Sequence, residues 1–519
     1  MKPTRRFVLV VLSKSAGAAA LAPRLSFAKT QAATTATAPL VDPLRPAFHY
    51  LPSRNWMNDP CAPVFFRGQY HLFHQYNPNA SIWGDMHWAH AASPDMIHWK
   101  RLPVAIAPTP DGPDSAGVFT GSAIFHHDTP AVIYTGVQSV PHAEATLSDG
   151  AHNFRETQLL ATSADPNLNI WTKHPQPVIP APPPAMAVTG FRDPTPFEHA
   201  GTQYLLVGSG QHQLGGMVLL YRASRKLPNG SPDLTAWEYL HPLTQDPGFT
   251  PPPVPKSDTP QLDPVDTGEM WECPDFFPLG GRHVLLFSTR RLTFWQVGDL
   301  DPATLRFHPT SSGQLDHGHS FYAPKSQLDA EGNRILWSWL NETRPQAEFA
   351  AASWAGMLSL PRILTIQDGR LRMAPLPALR QLRRPSLGGP VQEYILAPDP
   401  DNFPNGPQLR APTPRDAAGP IFDLRFARQT PASSTNPNQI VITPPNSPSV
   451  TVPFAPHDGP VVHAFIDNSV VELFLGNSHC FTHRFYTRTP GVPILSLTLP
   501  PDLSTCKPAT FSVKSIWPA

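Results

Sequence analysis

The chain has 519 residues, 39 basic against 39 acidic side chains and only 15% charged residues, so its formal charge is zero. That balance argues against a phosphate-rich partner such as nucleic acid, which needs clustered Lys and Arg. Sixty-seven prolines disfavour long helices, because Pro removes a backbone donor and clashes with the preceding turn, so an all-β, loop-rich chain acting on an uncharged ligand such as a sugar is expected.

The first residues read as a targeting segment. Lys2, Arg5 and Arg6 form a basic start, Phe7 to Leu12 begin an apolar stretch, and Ser26-Phe27-Ala28 offers a cleavage site. Thr4-Arg5-Arg6-Phe7-Val8-Leu9 loosely resembles a twin-arginine signal, which would carry a folded chain out of a bacterium. The apolar run is too short for a membrane anchor. Residues 1–28 are therefore expected to be a signal, with a flexible Ala/Thr/Pro leader over 29–44.

Five apolar, aromatic-rich strands are then predicted in order. They are Tyr70 to Tyr76, Ala131 to Gly136, Gln203 to Gly208, His283 to Ser288 and Arg334 to Trp339. Turn-rich segments separate them, which is an all-β signature. Their spacing leaves room for a four-stranded sheet around each, hence five propeller blades over 45–374. After a linker over 375–385, short strands such as Ile421 to Phe426, Gln439 to Thr443 and a hairpin from Val461 to Leu475 suggest a β-sandwich over 386–519.

Four cysteines, Cys61, Cys273, Cys480 and Cys506, match no zinc spacing. Neither a metal nor a cofactor is implied. In an oxidising compartment Cys480 and Cys506 have the option of pairing. Cys61 and Cys273 flank two acidic motifs and read as small buried residues of a site wall.

Three motifs place a carboxylate among aromatic, Pro or Asn residues: Trp56-Met57-Asn58-Asp59-Pro60, Phe191-Arg192-Asp193-Pro194 and Met270-Trp271-Glu272-Cys273-Pro274-Asp275-Phe276. Singly, an Asp-Pro is a common turn start. Together they supply what glycoside hydrolysis needs, one ionised carboxylate and one protonated. Trp271, Phe276 and Phe277 are expected to desolvate Glu272, Asn58 to help keep Asp59 ionised, and Arg192 to pair with Asp193.

These motifs resemble glycoside hydrolase family 32, the invertases, inulinases, levanases and fructan exohydrolases. His71-Leu72-Phe73-His74-Gln75-Tyr76-Asn77-Pro78, Trp83-Gly84, Phe119-Thr120-Gly121-Ser122, Phe321-Tyr322-Ala323-Pro324-Lys325 and Trp354 to Arg362 extend the likeness over most of 45–380. Asp467 to Phe474 resembles the family's C-terminal module. The resemblance implies a five-bladed propeller with an axial site, followed by a β-sandwich. It implies Asp59 as nucleophile, Glu272 as acid and base, and Asp193 as transition-state stabiliser. Asn58, Gln75, Trp83, Phe119, Thr120 and Arg192 would line the fructose subsite, although Trp83 also reads as a core aromatic and Gln75 as part of a buried hydrogen-bond network.

Cys61-Ala62 stands where the family usually has Asn-Gly, and Asp316-His317-Gly318 where it has Asp-Tyr-Gly. The leading expectation is an exported retaining β-fructofuranosidase acting on sucrose or fructans. A fructosyltransferase of the same fold and an inactive sugar-binding protein are the alternatives. Substrate preference and oligomeric state are not readable from the chain.

Overall fold

The computed structural model describes residues 42–126, 129–148, 153–245, 263–385, 392–397, 422–427, 438–445, 447–454, 462–486, 495–498 and 507–517. The predicted signal, most of the leader and Cys506 lie outside these residues.

Five antiparallel sheets of four or five strands form the larger part. Their innermost strands are Asn55–Phe66, Gly117–His126, Phe191–His199, Glu272–Leu279 and Phe321–Leu328. Each touches the next and the fifth touches the first, so they close a ring around an axis. This is a five-bladed propeller. Closure is reinforced by Trp354 and Ala355, which pair in parallel with Asn55 and Trp56 of blade 1, while Met357 and Leu358 pair with blade 5.

All five predicted strands exist, and each is the second strand of its blade: Gln69–Asn77, Thr129–Ser139, Thr202–Gln211, Arg282–Thr289 and Arg334–Leu340. That place explains their legibility. A second strand is covered by the neighbouring blades on both faces, and so reads as a continuous apolar run. Val132, Leu206, Leu285 and Leu336 are at most 1% exposed.

The inner strands behave differently. Every one breaks register at the same level, between Met57 and Pro60, Val118 and Gly121, Arg192 and Thr195, Glu272 and Asp275, and Tyr322 and Lys325. A β-bulge re-aims side chains and leaves residues unpaired. Asp193, Cys273 and Ala323 sit there at φ of 64, 49 and 51°, and a proline follows each. The Asp-Pro pairs that read as turns are bulges.

The remaining strands form a six-stranded and a four-stranded sheet, the sandwich. Its hairpin is Val462–Asp467 and Val470–Leu475, turning at Asn468 and Ser469. The stretch 375–385 is packed down: Leu376, Leu379 and Leu382 join the main core, and Arg383–Pro385 joins the six-stranded sheet.

Buried charge welds propeller to sandwich. Arg362 donates to Asp316 (2.9 Å), Glu472 (2.7 Å) and Thr482 (2.7 Å). His49 bridges Asp467 (2.8 Å) and Glu472 (3.0 Å). Asp467 also accepts the backbone N–H groups of Ala47, Phe48 and His49. Gly318 lies so close to this seam that a Cβ would meet the Thr482 carbonyl at 1.8 Å, so the glycine of Asp316-His317-Gly318 is required by packing. Residues 516 and 517 close over the same place. Ile516 donates to the Ala47 carbonyl (3.0 Å), Trp517 to that of His49 (3.3 Å), and Arg101 stacks on the Trp517 ring at 3.7 Å.

Candidate active site

The upstream halves of the inner strands surround a cavity of about 320 Å³. Its wall includes Asn58, Asp59, Gln75, Trp83, Phe119 and Arg192. Asp193, Glu272, Tyr322 and Trp339 also line it. The three motif carboxylates, far apart in the chain, therefore meet at one place. A larger cavity of about 530 Å³ opens at the downstream ends of the same strands; it contains none of the three, so chemistry and not volume identifies the site.

Asp59 is held by four donors. Thr120 donates to Oδ2 at 2.6 Å, Gln75 at 3.4 Å and the Cys273 thiol at 3.4 Å, while Asn58 donates to Oδ1 at 3.2 Å. Asn58 is itself oriented by the Trp56 indole N–H at 3.0 Å. Thr120 is fully buried behind Asp59 and does not line the cavity. Gln75 does both, lining the wall and donating to Thr120 within the buried network. Trp83 is 41% exposed and meets Phe119 edge-on at 6.1 Å, so it is a rim residue and not core.

Glu272 is reached across blade 3. Gly208 and Gly210 let the segment before Glu272 lie directly on that blade: a Cβ at these positions would meet the Trp271 carbonyl at 2.4 Å and the Glu269 carbonyl at 1.7 Å. Trp271 donates its backbone N–H to Ser209 at 3.1 Å. Glu272 then accepts from Arg192 at 2.6 Å and from the Tyr322 hydroxyl at 2.5 Å.

Two expectations are overturned here. Trp271, Phe276 and Phe277 do not face the Glu272 carboxyl. Trp271 stacks on Phe287 at 3.9 Å and, with Phe276, belongs to a core cluster between blades, while Phe277 lies in the main core. The bulge after Glu272 changes which residues share its face. Arg192, moreover, forms no hydrogen bond with Asp193. Its guanidinium is taken by Glu272 and by buried Glu156 at 3.1 Å. Asp193 instead accepts from the Cys273 backbone N–H at 2.8 Å, and its own N–H donates to Thr135 at 2.9 Å.

The electrostatic result is a crowd of like charges. Burial pushes the Asp193 carboxyl up to about 7, the nearby Arg192 charge opposing this and the Glu272 and Asp59 charges adding to it. Burial also raises Asp59, against its hydrogen bond from Thr120 and with the help of the Glu272 charge. Carboxylates so placed retain a proton that isolated ones would lose. No motif carries Glu156 or Thr135 of blade 2, or Trp339 of blade 5. For Glu156 the available signal is a lone acid within the strand Asn153–Thr162.

An aromatic-rimmed cavity floored by carboxylates in unequal surroundings, on the axis of a five-bladed propeller, is the site of a glycoside hydrolase. The family model of the glycosyl hydrolases family 32 N-terminal domain matches residues 49–375. A sucrose-6-phosphate hydrolase of Zymomonas mobilis is 30% identical, over 90% of this chain and 89% of its own. A cell wall beta-fructofuranosidase of Zea mays is 34% identical, over 72% of this chain and 62% of its own. The solved GH32 beta-fructofuranosidase of Bombyx mori superposes with a TM-score of 0.67 at 26% identity, covering 93% of this chain and 96% of the other. The chain belongs to glycosyl hydrolase family 32.

Proposed function

We propose that the protein is an exported, retaining β-fructofuranosidase that removes terminal β-D-fructofuranosyl groups from sucrose or short fructans. Asp59 is the nucleophile, Glu272 the acid and base, and Asp193 holds fructose hydroxyls as the ring flattens. The observation that carries this is the meeting of Asp59, Asp193 and Glu272 around one cavity. Family membership supports the reaction class, and a variant of the Bombyx mori enzyme has been solved with sucrose.

Asp59, presented by four donors, attacks the anomeric carbon as the glycosidic C–O bond breaks, and Glu272 gives its proton to the departing oxygen. In the second half Glu272, now a carboxylate oriented by Arg192 and Tyr322, takes a proton from water. That water attacks the anomeric carbon, releases fructose and returns Asp59 to its starting state. Asn58, Gln75, Trp83, Phe119 and Arg192 surround the fructosyl ring, with Thr120 fixing Asp59 from behind.

The family match over 49–375 supports the propeller as the catalytic domain over 45–374, with the sandwich at 386–519. The basic and apolar N-terminus supports export, and among the described residues no helix is long and apolar enough to cross a membrane. The test is product analysis on sucrose, inulin and levan, with methanol added as a competing acceptor. Methyl β-fructoside is expected, with glucose from sucrose equal to free fructose plus methyl fructoside. Methyl α-fructoside would refute retention, glucose in large excess over that sum would indicate transfer to sugar, and no release from any of the three would indicate a binding protein.

A further inference from the structure

Below the carboxylates, on the same axis, lies a cation that the proposed mechanism has not used. Lys325 is 1% exposed. Its ammonium donates to the Ser122 hydroxyl at 3.1 Å, the Thr195 hydroxyl at 2.5 Å and the Pro274 carbonyl at 2.9 Å. An ammonium has three protons, and all three end on neutral oxygens. Burying a cation with neutral partners alone is costly, so the charge calls for anions nearby.

The acceptors reveal where those anions are. Ser122 lies two residues beyond Thr120, Thr195 two beyond Asp193, and Pro274 two beyond Glu272. They belong to the inner strands of blades 2, 3 and 4, and Lys325 itself to that of blade 5. Thr195 further donates to the Pro274 carbonyl at 2.6 Å and lies 3.1 Å from the Ser122 hydroxyl, so the four residues form one knot just past the bulges. Between knot and carboxylates stand two thiols. Cys273 lies 3.4 Å from Asp59 and 3.5 Å from Asp193, and Cys61 lies 3.5 Å from the Asp59 carbonyl. Burial raises both thiols, the neighbouring carboxylates raise them further, and the Lys325 charge works in the opposite direction on both.

We infer that Lys325 is a positioning residue for the reaction: its buried ammonium fastens three inner strands directly beneath the catalytic carboxylates and supplies the positive charge that favours ionised Asp59. This rests on the reading of Asp59 as nucleophile. The titratable groups that the Lys325 charge reaches are Cys61 of blade 1 and Cys273 of blade 4. The Cys273 thiol in turn adjoins Asp59 and Asp193, both in the field of Glu272 and Asp193 also in that of Arg192. Among these the nucleophile must lose its proton to act. Removing a nearby cation disfavours a carboxylate, so the acid limb of activity must move to higher pH.

The test compares wild type, Lys325→Met, the double variant Ser122→Ala with Thr195→Val, and Asp59→Asn, each first checked for folding by circular dichroism. Lys325→Met is expected to lower kcat by on the order of tenfold or more with KM for sucrose little changed, and to shift the acid limb of kcat upward by about one pH unit. The double variant keeps the charge and loosens the knot. It should lower kcat while leaving the acid limb in place. A folded Lys325→Met with wild-type kcat and an unmoved acid limb overturns the inference. Should Lys325→Met fail to fold, the double variant decides: a lowered kcat at constant KM supports the clamp and an unchanged kcat overturns it. Asp59→Asn separates the two readings, since activity surviving in that variant refutes the nucleophile whatever Lys325 does.

Discussion

The axial site and the seam between propeller and sandwich both bury several charges, yet they handle them in opposite ways. At the seam every carboxylate meets a cation or a row of N–H donors. Arg362 binds Asp316 and Glu472, and His49 joins Glu472 to Asp467. In consequence Glu472 is held below the usual carboxylate range, burial being outweighed by the Arg362 charge together with His49 and the Leu360 N–H, and His49 rises to about 9, its two carboxylate partners together overcoming burial. At the site Arg192 is the guanidinium bonded to the cluster and is shared between Glu156 and Glu272, so Asp59 and Asp193 rise instead. Matched charge makes a rigid joint. Unmatched charge leaves protons poised for transfer near neutral pH.

Four experiments probe that contrast, beginning with the largest effect. Asp59→Asn deletes the proposed nucleophile while keeping its shape, and kcat on sucrose should fall by at least about 10³-fold with unchanged circular dichroism; retention of a tenth of the activity would remove Asp59 from the role. Arg362→Met leaves Asp316 and Glu472 buried without their cation, and urea unfolding should show a loss of about 3–5 kcal/mol. A loss below 1 kcal/mol would mean that the seam tolerates unpaired charge as the site does.

His49 gives a pH signature. Its pKa is raised on folding from 6.5 to about 9, so its contribution is complete below pH 6.5 and drains away as pH climbs through 9. The total is roughly 3 kcal/mol. Thermal unfolding across that window should show a decline that His49→Gln flattens, and parallel curves for the two proteins would discard the bridge as a stabilising element. The smallest effect is at Asp193. With its carboxyl at about 7, the trio keeps a proton into neutral solution, and kcat/KM should decline above that pH. Asp193→Asn removes one like charge, so the residual activity should lose its alkaline limb at lower pH, by about one unit. An unmoved or raised limb would show that the carboxylates titrate independently.

The two regions also differ in how readily the chain discloses them. The five second strands announced themselves because burial on both faces leaves no room for polar alternation. The inner strands, which carry the motif carboxylates, are legible only as motifs. Their Asp-Pro pairs imitate turns, and bulges break the two-residue periodicity that would say which neighbours share a face. Adjacency in the chain therefore places Trp271 and Phe276 beside Glu272, although they pack between blades. It places Arg192 against Asp193 for the same reason, whereas the partners of Arg192, Glu156 and Glu272, come from other blades. Residue types revealed which groups matter, and only the closed ring showed whom they touch.

The contact of Trp517 and Ile516 with Ala47 and His49 bears on biosynthesis. The segment that leads into the strand of Asp59 gains these partners, and those from Asp467 and Glu472, only from the far end of the polypeptide. A nascent chain can lay down its blades one after another as it leaves the ribosome. The lead-in to the strand of Asp59 gains these contacts only after the sandwich strands and residues 516–517 have been made.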